Sequence, residues 1–158
     1  MYQHIKDKHS YFIADELVTY YKHPEEARQQ LKQVKITSAS DVREYLKPFF
    51  EQNNHREHFV AIYLDRANVV NGFSVISSGD VAGTCINTRT IFAPAIQGNA
   101  SALIIAHNHP SGNLKPSKSD IEITKQIKEA GKVLNIELLD SIIYTSASYT
   151  SLQYEGVL

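Results

Sequence analysis

Residues 102–106 constrain the fold more than any other segment, because their sequence, ALIIA, is apolar at every position. A short run without a polar residue is typical of a strand that is buried on both faces. Such a strand must be covered on two sides of its sheet, and helices usually provide that cover. The segment therefore indicates a layered α/β domain.

Strand patterns and helix patterns alternate along the rest of the chain. Alternating or continuous apolar residues predict strands, and apolar residues at helical spacing predict helices. We predict strands at residues 59–64, 69–76, 102–106 and 136–144, and helices at residues 40–50, 88–96 and 119–134. The first two strands are separated by a short turn and should form a hairpin. This order predicts an α/β domain with a mixed sheet.

Two details of the predicted helices can be checked directly. Ser40 is the expected capping residue of the first helix. In the last helix, the apolar residues at helical spacing should form the buried face, with lysines and glutamates over the rest of the surface. These residues are Ile123, Ile127, Ala130 and Leu134.

Composition and charge exclude several classes of protein. The 158 residues, 42% of them hydrophobic, suit one globular domain, and the single cysteine cannot form an internal disulfide. No apolar run approaches the roughly 20 residues of a membrane span, and residues 1–10 do not resemble a signal peptide, so we expect a cytoplasmic protein without a membrane partner. A net charge of −1 argues against strong electrostatic binding of nucleic acid.

We divide the chain into two parts. Residues 1–35 are interpreted as an N-terminal arm that adds an edge strand, and residues 36–158 as the folded domain.

The chemistry is concentrated directly after the apolar strand. His107 and His109 are two positions apart, so both side chains project from the same side of an extended backbone. Asp120 follows at the start of the last predicted helix, which can bring its carboxylate to the same point. Two imidazoles and a carboxylate suit Zn²⁺ and leave the fourth tetrahedral position for water. The pattern predicts a catalytic rather than a structural zinc site.

Each of these residues also has a purely structural interpretation. The two histidines are explained equally well as polar residues at the end of a strand. Ser117 and Asp120 have the spacing of a capping box in the first turn of a helix. Residue spacing alone leaves both interpretations open, although the combination is less expected by chance than its parts.

The full pattern, with His107, His109, Pro110, Ser117 and Asp120, resembles the signature of the JAMM (JAB/MPN+) metalloproteases. The longer string HNHPSGNLKPSKSD and its flanking residues are similar to the bacterial RadC branch of that family, over roughly residues 35–156. The resemblance implies a three-layer α/β/α domain with a mixed sheet and a cytidine-deaminase-like (JAB/MPN) fold.

The resemblance also implies a role for each site residue. His107, His109 and Asp120 would bind one Zn²⁺ per chain, and Ser117 would help to stabilise the oxyanion. Glu57, before the strand at residues 59–64, would hold the water, take its proton and return it to the leaving amine. The implied function is hydrolysis of peptide or isopeptide bonds, with a peptide or protein as substrate.

Two positions depart from the RadC pattern. Ser141 stands where a histidine is usual, and Pro94 lies in a helix that usually has no proline. Neither change removes a predicted ligand, but both bear on substrate preference. The arm is also too short for the helix-hairpin-helix module of longer RadC proteins.

Other functions remain open at this point. RadC-like proteins are commonly associated with DNA repair or anti-restriction, and lysines around the last helix could give a weak or indirect contact with nucleic acid. A zinc nucleoside deaminase is excluded, because it needs a Pro-Cys-x-x-Cys motif and this chain has one cysteine. A metal-binding but catalytically silent scaffold is a further alternative. The sequence leaves the oligomeric state open.

Overall fold

The computed structural model describes residues 10–12, 19–21, 34–79 and 86–158. These residues contain seven strands and three helices. The strands are β1 (Ser10–Phe12), β2 (Thr19–Tyr21), β3 (His58–Leu64), β4 (Val70–Ser78), β5 (Ala102–Asn108), β6 (Glu137–Tyr144) and β7 (Tyr149–Ser151). The helices are α1 (Ala39–Gln52), α2 (Thr88–Gln97) and α3 (Lys118–Leu134).

The strands form one mixed sheet in the order β1-β2-β4-β3-β5-β6-β7. All neighbours are antiparallel except β5 and β6, which are parallel. A parallel pair needs a crossover connection, and here α3 forms it. The crossover places the N-terminus of α3 directly after the loop that leaves β5, so it determines where the residues of the predicted site can meet.

Helices cover the two faces of the sheet and give three layers. On one face, Val42, Leu46 and Phe50 of α1 pack against β3, β5 and β6. On the other face, α2 and α3 contribute Ile91 and Ile127 to a second core with alternate residues of β3 and β5. Every residue of β3 and β5 is buried, because each strand is covered from both sides.

The predicted fold class is confirmed: the domain is α/β, with a mixed sheet between helical layers. Each predicted helix and strand is present, with ends shifted by at most two residues. The hairpin of β3 and β4 is present as well. The short strand β7 was not predicted, because three residues carry too little pattern.

Two details of the predicted helices are wrong. The cap of α1 is Ser38 rather than Ser40, and its hydroxyl accepts a hydrogen bond from the backbone of Asp41. In α3, Ile127 is buried and Ile123 and Ala130 are partly buried against the same core, as predicted, but Leu134 is 41% exposed. Asp120, Thr124 and Gly131 of α3 are also buried, which apolar spacing alone could not predict.

Most of the N-terminal arm lies outside the described residues. The part that is described forms β1 and β2 at one edge of the sheet, where β2 pairs with β4. The division at residue 35 stays a prediction. No helix among the described residues is long and apolar enough to cross a membrane.

Candidate metal centre

Strand β5 supplies the two histidines. The strand extends beyond its apolar run to Asn108, so His107 lies within the strand and is 1% exposed. His109 is the first residue after the strand, and its backbone still pairs with β6, because its N–H donates to the carbonyl of Tyr144 at 2.8 Å. The backbone is therefore extended through both histidines, and their side chains share a face of the sheet.

Helix α3 supplies the carboxylate. Ser117 caps the helix, and its hydroxyl accepts a hydrogen bond from the backbone N–H of Asp120 at 3.1 Å. Asp120 Oδ2 in turn accepts from the backbone N–H of Ser117 at 2.7 Å. This reciprocal capping box fixes the Asp120 side chain at the start of the helix, where it is 4% exposed.

The three side chains converge on one point. His107 Nε2 lies 3.0 Å from His109 Nε2 and 3.3 Å from Asp120 Oδ1, and His109 Nε2 lies 3.9 Å from Asp120 Oδ2. Tetrahedral zinc with ligands at about 2.0–2.2 Å would separate neighbouring ligand atoms by about 3.3 Å. Within the described part of the chain, these residues form the group that could hold a metal ion. Donor types and spacing therefore fit a cation such as Zn²⁺.

Different contacts orient the two imidazoles. His109 Nδ1 lies 2.6 Å from the carbonyl oxygen of Asn113, so Nδ1 carries the proton and the lone pair of Nε2 faces the centre. His107 is held instead by burial and by its ring stacking on Phe59, with centroids 6.0 Å apart and planes at 10°. Both side chains therefore present Nε2 to the same point without large rearrangement.

Asp120 is held in its charged form. Burial raises the pKa of this carboxyl, but contact with His107 and the hydrogen bonds from Ser117 outweigh burial, so the pKa lies below its usual range. An ionised carboxylate is the form that binds a cation. The site is thus electrostatically suited to positive charge.

The two interpretations of Ser117 and Asp120 turn out to be compatible. The capping box is present, and its Asp120 side chain is also the third member of the convergent group. In the cap, the carboxylate oxygen Oδ2 accepts the hydrogen bond from Ser117, while the other oxygen, Oδ1, lies 3.3 Å from His107 Nε2. Ser117 itself is exposed.

Glu57 immediately precedes β3 and is half-buried. Its carbonyl oxygen accepts a hydrogen bond from the backbone N–H of Gly79 at 2.8 Å. In the sheet, Phe59 is paired with His107. Because residues two apart in an extended chain share a face, Glu57 belongs to the face of Phe59 and His107. This placement agrees with the role that the resemblance implies, which stays a proposal.

The neighbouring histidines lie on the other face. His58 is buried and its Nδ1 lies 2.9 Å from the Ser78 hydroxyl, while His55 is exposed with its ring 6.3 Å from that of His58. Burial, together with the charges of His55 and Arg56, lowers the pKa of His58. Neither histidine belongs to the convergent group.

Asn108, the residue between the two histidines, was not among the predicted site residues. It is 3% exposed. Its Oδ1 accepts from the backbone N–H of His58 at 2.7 Å, and its Nδ2 donates to the carbonyl of Arg56 at 3.0 Å. The available signal was an asparagine at the end of a strand that begins with five apolar residues, since a buried amide needs partners.

The two departures from the RadC pattern lie in packed positions. Ser141 is 1% exposed, and its hydroxyl accepts a hydrogen bond from Thr124, one turn after Asp120 in α3, at 3.0 Å. This bond ties α3 to β6. Pro94 is buried inside α2, which continues to Gln97. Neither residue disturbs the convergent group.

Comparisons with known proteins agree with this geometry. The family model described as the RadC-like JAB domain matches residues 36–157. A UPF0758 protein of Flavobacterium johnsoniae is 39% identical over 131 residues, which cover 83% of this chain and 57% of the relative. UPF0758 proteins of Staphylococcus aureus and Syntrophomonas wolfei are 40% and 39% identical, over 82% of this chain and 56% of each relative.

The match thus covers about four fifths of this chain but spans little more than half of the relatives' length. It includes β3 to β7, both helical layers and all residues of the convergent group. The resemblance seen in the His-x-His-Pro string is thereby confirmed, and the chain belongs to the RadC-like JAB domain family.

Proposed function

We propose that this chain is a zinc-dependent hydrolase of peptide or isopeptide bonds. The observation that supports the proposal most strongly is the convergence of His107 Nε2, His109 Nε2 and the Asp120 carboxylate. Three protein ligands of these types are the donor set of catalytic zinc sites, which leave one position open. A structural zinc site would use four protein ligands.

Zinc would be held by His107, His109 and Asp120, one ion per chain. Bound there, it would act as a Lewis acid and make water more acidic at neutral pH. The protein orients the three ligands: the Asn113 carbonyl accepts from His109, Phe59 packs on His107, and the Ser117 backbone fixes Asp120.

Glu57 would act as general base and then as general acid. Its carboxylate takes one proton from the water, whose oxygen forms a bond to the amide carbonyl carbon. Glu57 then gives that proton to the amide nitrogen, and the carbon–nitrogen bond breaks to leave a carboxyl group and an amine. General acid–base catalysis of this kind contributes about 10²- to 10⁴-fold to the rate.

Ser117 would stabilise the negative charge that develops on the carbonyl oxygen. Its hydroxyl oxygen already accepts from the backbone N–H of Asp120, which fixes the oxygen while leaving the hydroxyl proton to be donated. Removing one such donor costs about 2.7–4 kcal/mol of barrier. The capping box would thus position the donor and the metal ligand together.

A peptide or protein is the proposed substrate, and a nucleic acid the weaker alternative. The exposed residues of α3 include Lys125 and Lys132 but also Glu122 and Glu129, and Lys132 is paired with Glu129 at 2.7 Å. This mixture is typical of a solvated helix and gives no basic stripe of the kind that binds DNA. Among the residues that the structure describes, no specific contact favours the alternative.

Metal content and hydrolysis of internally quenched peptides test the proposal together. The peptides should include random linear sequences and lysine-branched sequences with an isopeptide bond. We expect about one zinc per chain and cleavage that Glu57→Gln abolishes while zinc is retained. His55→Gln is the matched control, since His55 is an exposed polar residue of the same loop, and it should cleave like the wild type.

Two results would count against the proposal. Failure of the wild-type protein to bind zinc would remove its basis. Full zinc occupancy without cleavage of either kind of peptide would favour the catalytically silent scaffold instead.

A further inference from the structure

Strands β3 and β5 stop pairing through their backbones just before the metal centre. Their ladder runs from Leu64 and Ala102 to Phe59 and His107. One residue further along, the side chain of Asn108 bridges the strands. Its Oδ1 accepts from the His58 N–H at 2.7 Å, and its Nδ2 donates to the Arg56 carbonyl at 3.0 Å.

The two bonds of Asn108 lie on either side of Glu57. One holds the peptide group that precedes Glu57, through the Arg56 carbonyl, and the other holds the peptide group that follows it, through the His58 N–H. From the other side, the Gly79 N–H fixes the carbonyl of Glu57 itself. Both peptide groups that flank Glu57, the proposed base, are therefore held by hydrogen bonds.

Asn108 is also the middle residue of a three-residue segment whose other two members, His107 and His109, are proposed ligands. Asn108 lies between His107 and His109, so its backbone is fixed relative to both imidazoles. The side-chain amide of Asn108 is buried, so water does not compete for its hydrogen bonds. A single side chain thus links the position of the ligands to the position of Glu57.

We propose that Asn108 is a positioning residue that sets the distance between Glu57 and the metal centre. The inference rests on the proposed function, because it assigns Asn108 to the same site. Asn108 touches neither the reacting atoms nor the cation; it acts through the backbone of Glu57. A misplacement of about 1 Å in such a group typically lowers the rate by about 10²-fold.

The test compares Asn108→Ala with Glu57→Gln and with Asn87→Ala as a matched control. Asn87 also accepts a backbone N–H through its side chain, at the start of α2, but it belongs to no part of the proposed site. Four quantities are measured: hydrogen exchange of the His58 amide in the metal-free protein, zinc affinity, the pH dependence of the visible spectrum with Co²⁺, and the kcat of peptide cleavage.

We expect Asn108→Ala to speed exchange of the His58 amide at least about tenfold and to leave zinc affinity within about threefold of wild type. The midpoint of the pH-dependent change in the Co²⁺ spectrum should move in the same direction as in Glu57→Gln. Peptide cleavage should fall about 100-fold in kcat. Asn87→Ala should match the wild type in each measurement.

Asn108→Asp provides a second test, also if the alanine variant does not fold. It is isosteric and keeps an acceptor for the His58 N–H, but it cannot donate to the Arg56 carbonyl. We expect a change in the same direction, because an oxygen would face the Arg56 carbonyl where Nδ2 now donates, with the amide of His58 still protected.

The possible failures are distinguishable. If Glu57→Gln alters the Co²⁺ spectrum and cleavage while both Asn108 variants keep the wild-type values, the positioning role is wrong and the proposed function stands. A loss of zinc affinity in Asn108→Ala also overturns it, because Asn108 would then support the ligands rather than the base. Wild-type protein that binds neither Co²⁺ nor zinc overturns both.

Discussion

The Asp120 carboxylate and the Nε2 atom of His107 lie 3.3 Å apart, both in buried side chains that come from different elements. A histidine from the end of a buried strand meets a carboxylate from the first turn of the following helix. Strand β5 is parallel to its neighbour β6, so the chain must cross over between them. The crossover helix α3 therefore starts close to the end of β5. The contact between these two residues follows from that topology.

Removing the charge of Asp120 should weaken metal binding far more than folding. Asp120→Asn keeps an acceptor for the Ser117 N–H, so the capping box is largely preserved. Zinc affinity should fall by more than about 100-fold, since even residues that only orient a ligand contribute 10- to 100-fold. Competition with a chromogenic chelator measures the affinity. An affinity within tenfold of wild type would show that Asp120 is only a helix cap.

Acid should release the metal. Both histidines must be neutral to bind a cation, so protons compete with the metal for the two imidazoles. Apparent zinc affinity should therefore fall progressively as the pH is lowered from 7 to 4.5. Titration with a competing chelator at each pH gives the profile. An affinity unchanged at pH 4.5 would exclude His107 and His109 as ligands.

His58 should make the metal-free protein less stable in acid. Its pKa is lowered in the fold, chiefly by burial and further by the charges of His55 and Arg56. The folded state then binds a proton less readily than the unfolded state, so the contribution of neutral His58 is complete above about pH 6.5 and is lost as the pH falls. His58→Gln should reduce this slope in urea denaturation with a chelator present. Identical slopes for the two proteins would contradict the account.

Gly131→Ala should destabilise the domain, against the usual trend. Alanine inside a helix normally stabilises by about 0.5–1 kcal/mol relative to glycine. Here a Cβ atom would overlap the backbone carbonyl oxygen of Ile136, which follows the helix directly. We expect a net loss of about 1–3 kcal/mol in the free energy of unfolding.

Val133→Ala is the control for that substitution, because Val133 lies on the same turn of α3 but is 81% exposed. It should change stability by no more than about 0.5 kcal/mol. A stabilising effect of Gly131→Ala would mean that the helix and Ile136 are not packed as closely as described.

Sequence patterns predicted the elements and the convergent group because both depend on local spacing. The apolar run of β5 predicted a doubly covered strand, and the two histidines after it share a face for the same geometrical reason. Spacing placed Asp120 at the start of the following helix, and the resemblance to the JAMM signature made it a candidate ligand. Residue spacing alone left its role as a helix cap equally open.

Other features depend on contacts between distant segments and could not be predicted. The bonds from Asn108 to the backbone beside Glu57 exist because β3 and β5 separate at that point, which no local pattern encodes. The buried face of α3 includes Thr124 because a hydroxyl on β6 is its partner. The cap of α1 is different, because Ser38 and Asp41 form a local capping box with the same spacing as Ser117 and Asp120, and the sequence does carry that signal.

The most direct test of the central claim is a crystal structure of the zinc-loaded protein with anomalous data collected on both sides of the zinc absorption edge. The account predicts one anomalous peak per chain, about 2.0–2.2 Å from His107 Nε2, His109 Nε2 and an oxygen of Asp120. A zinc ion bound elsewhere, or no peak between these three side chains in protein saturated with zinc, would contradict it.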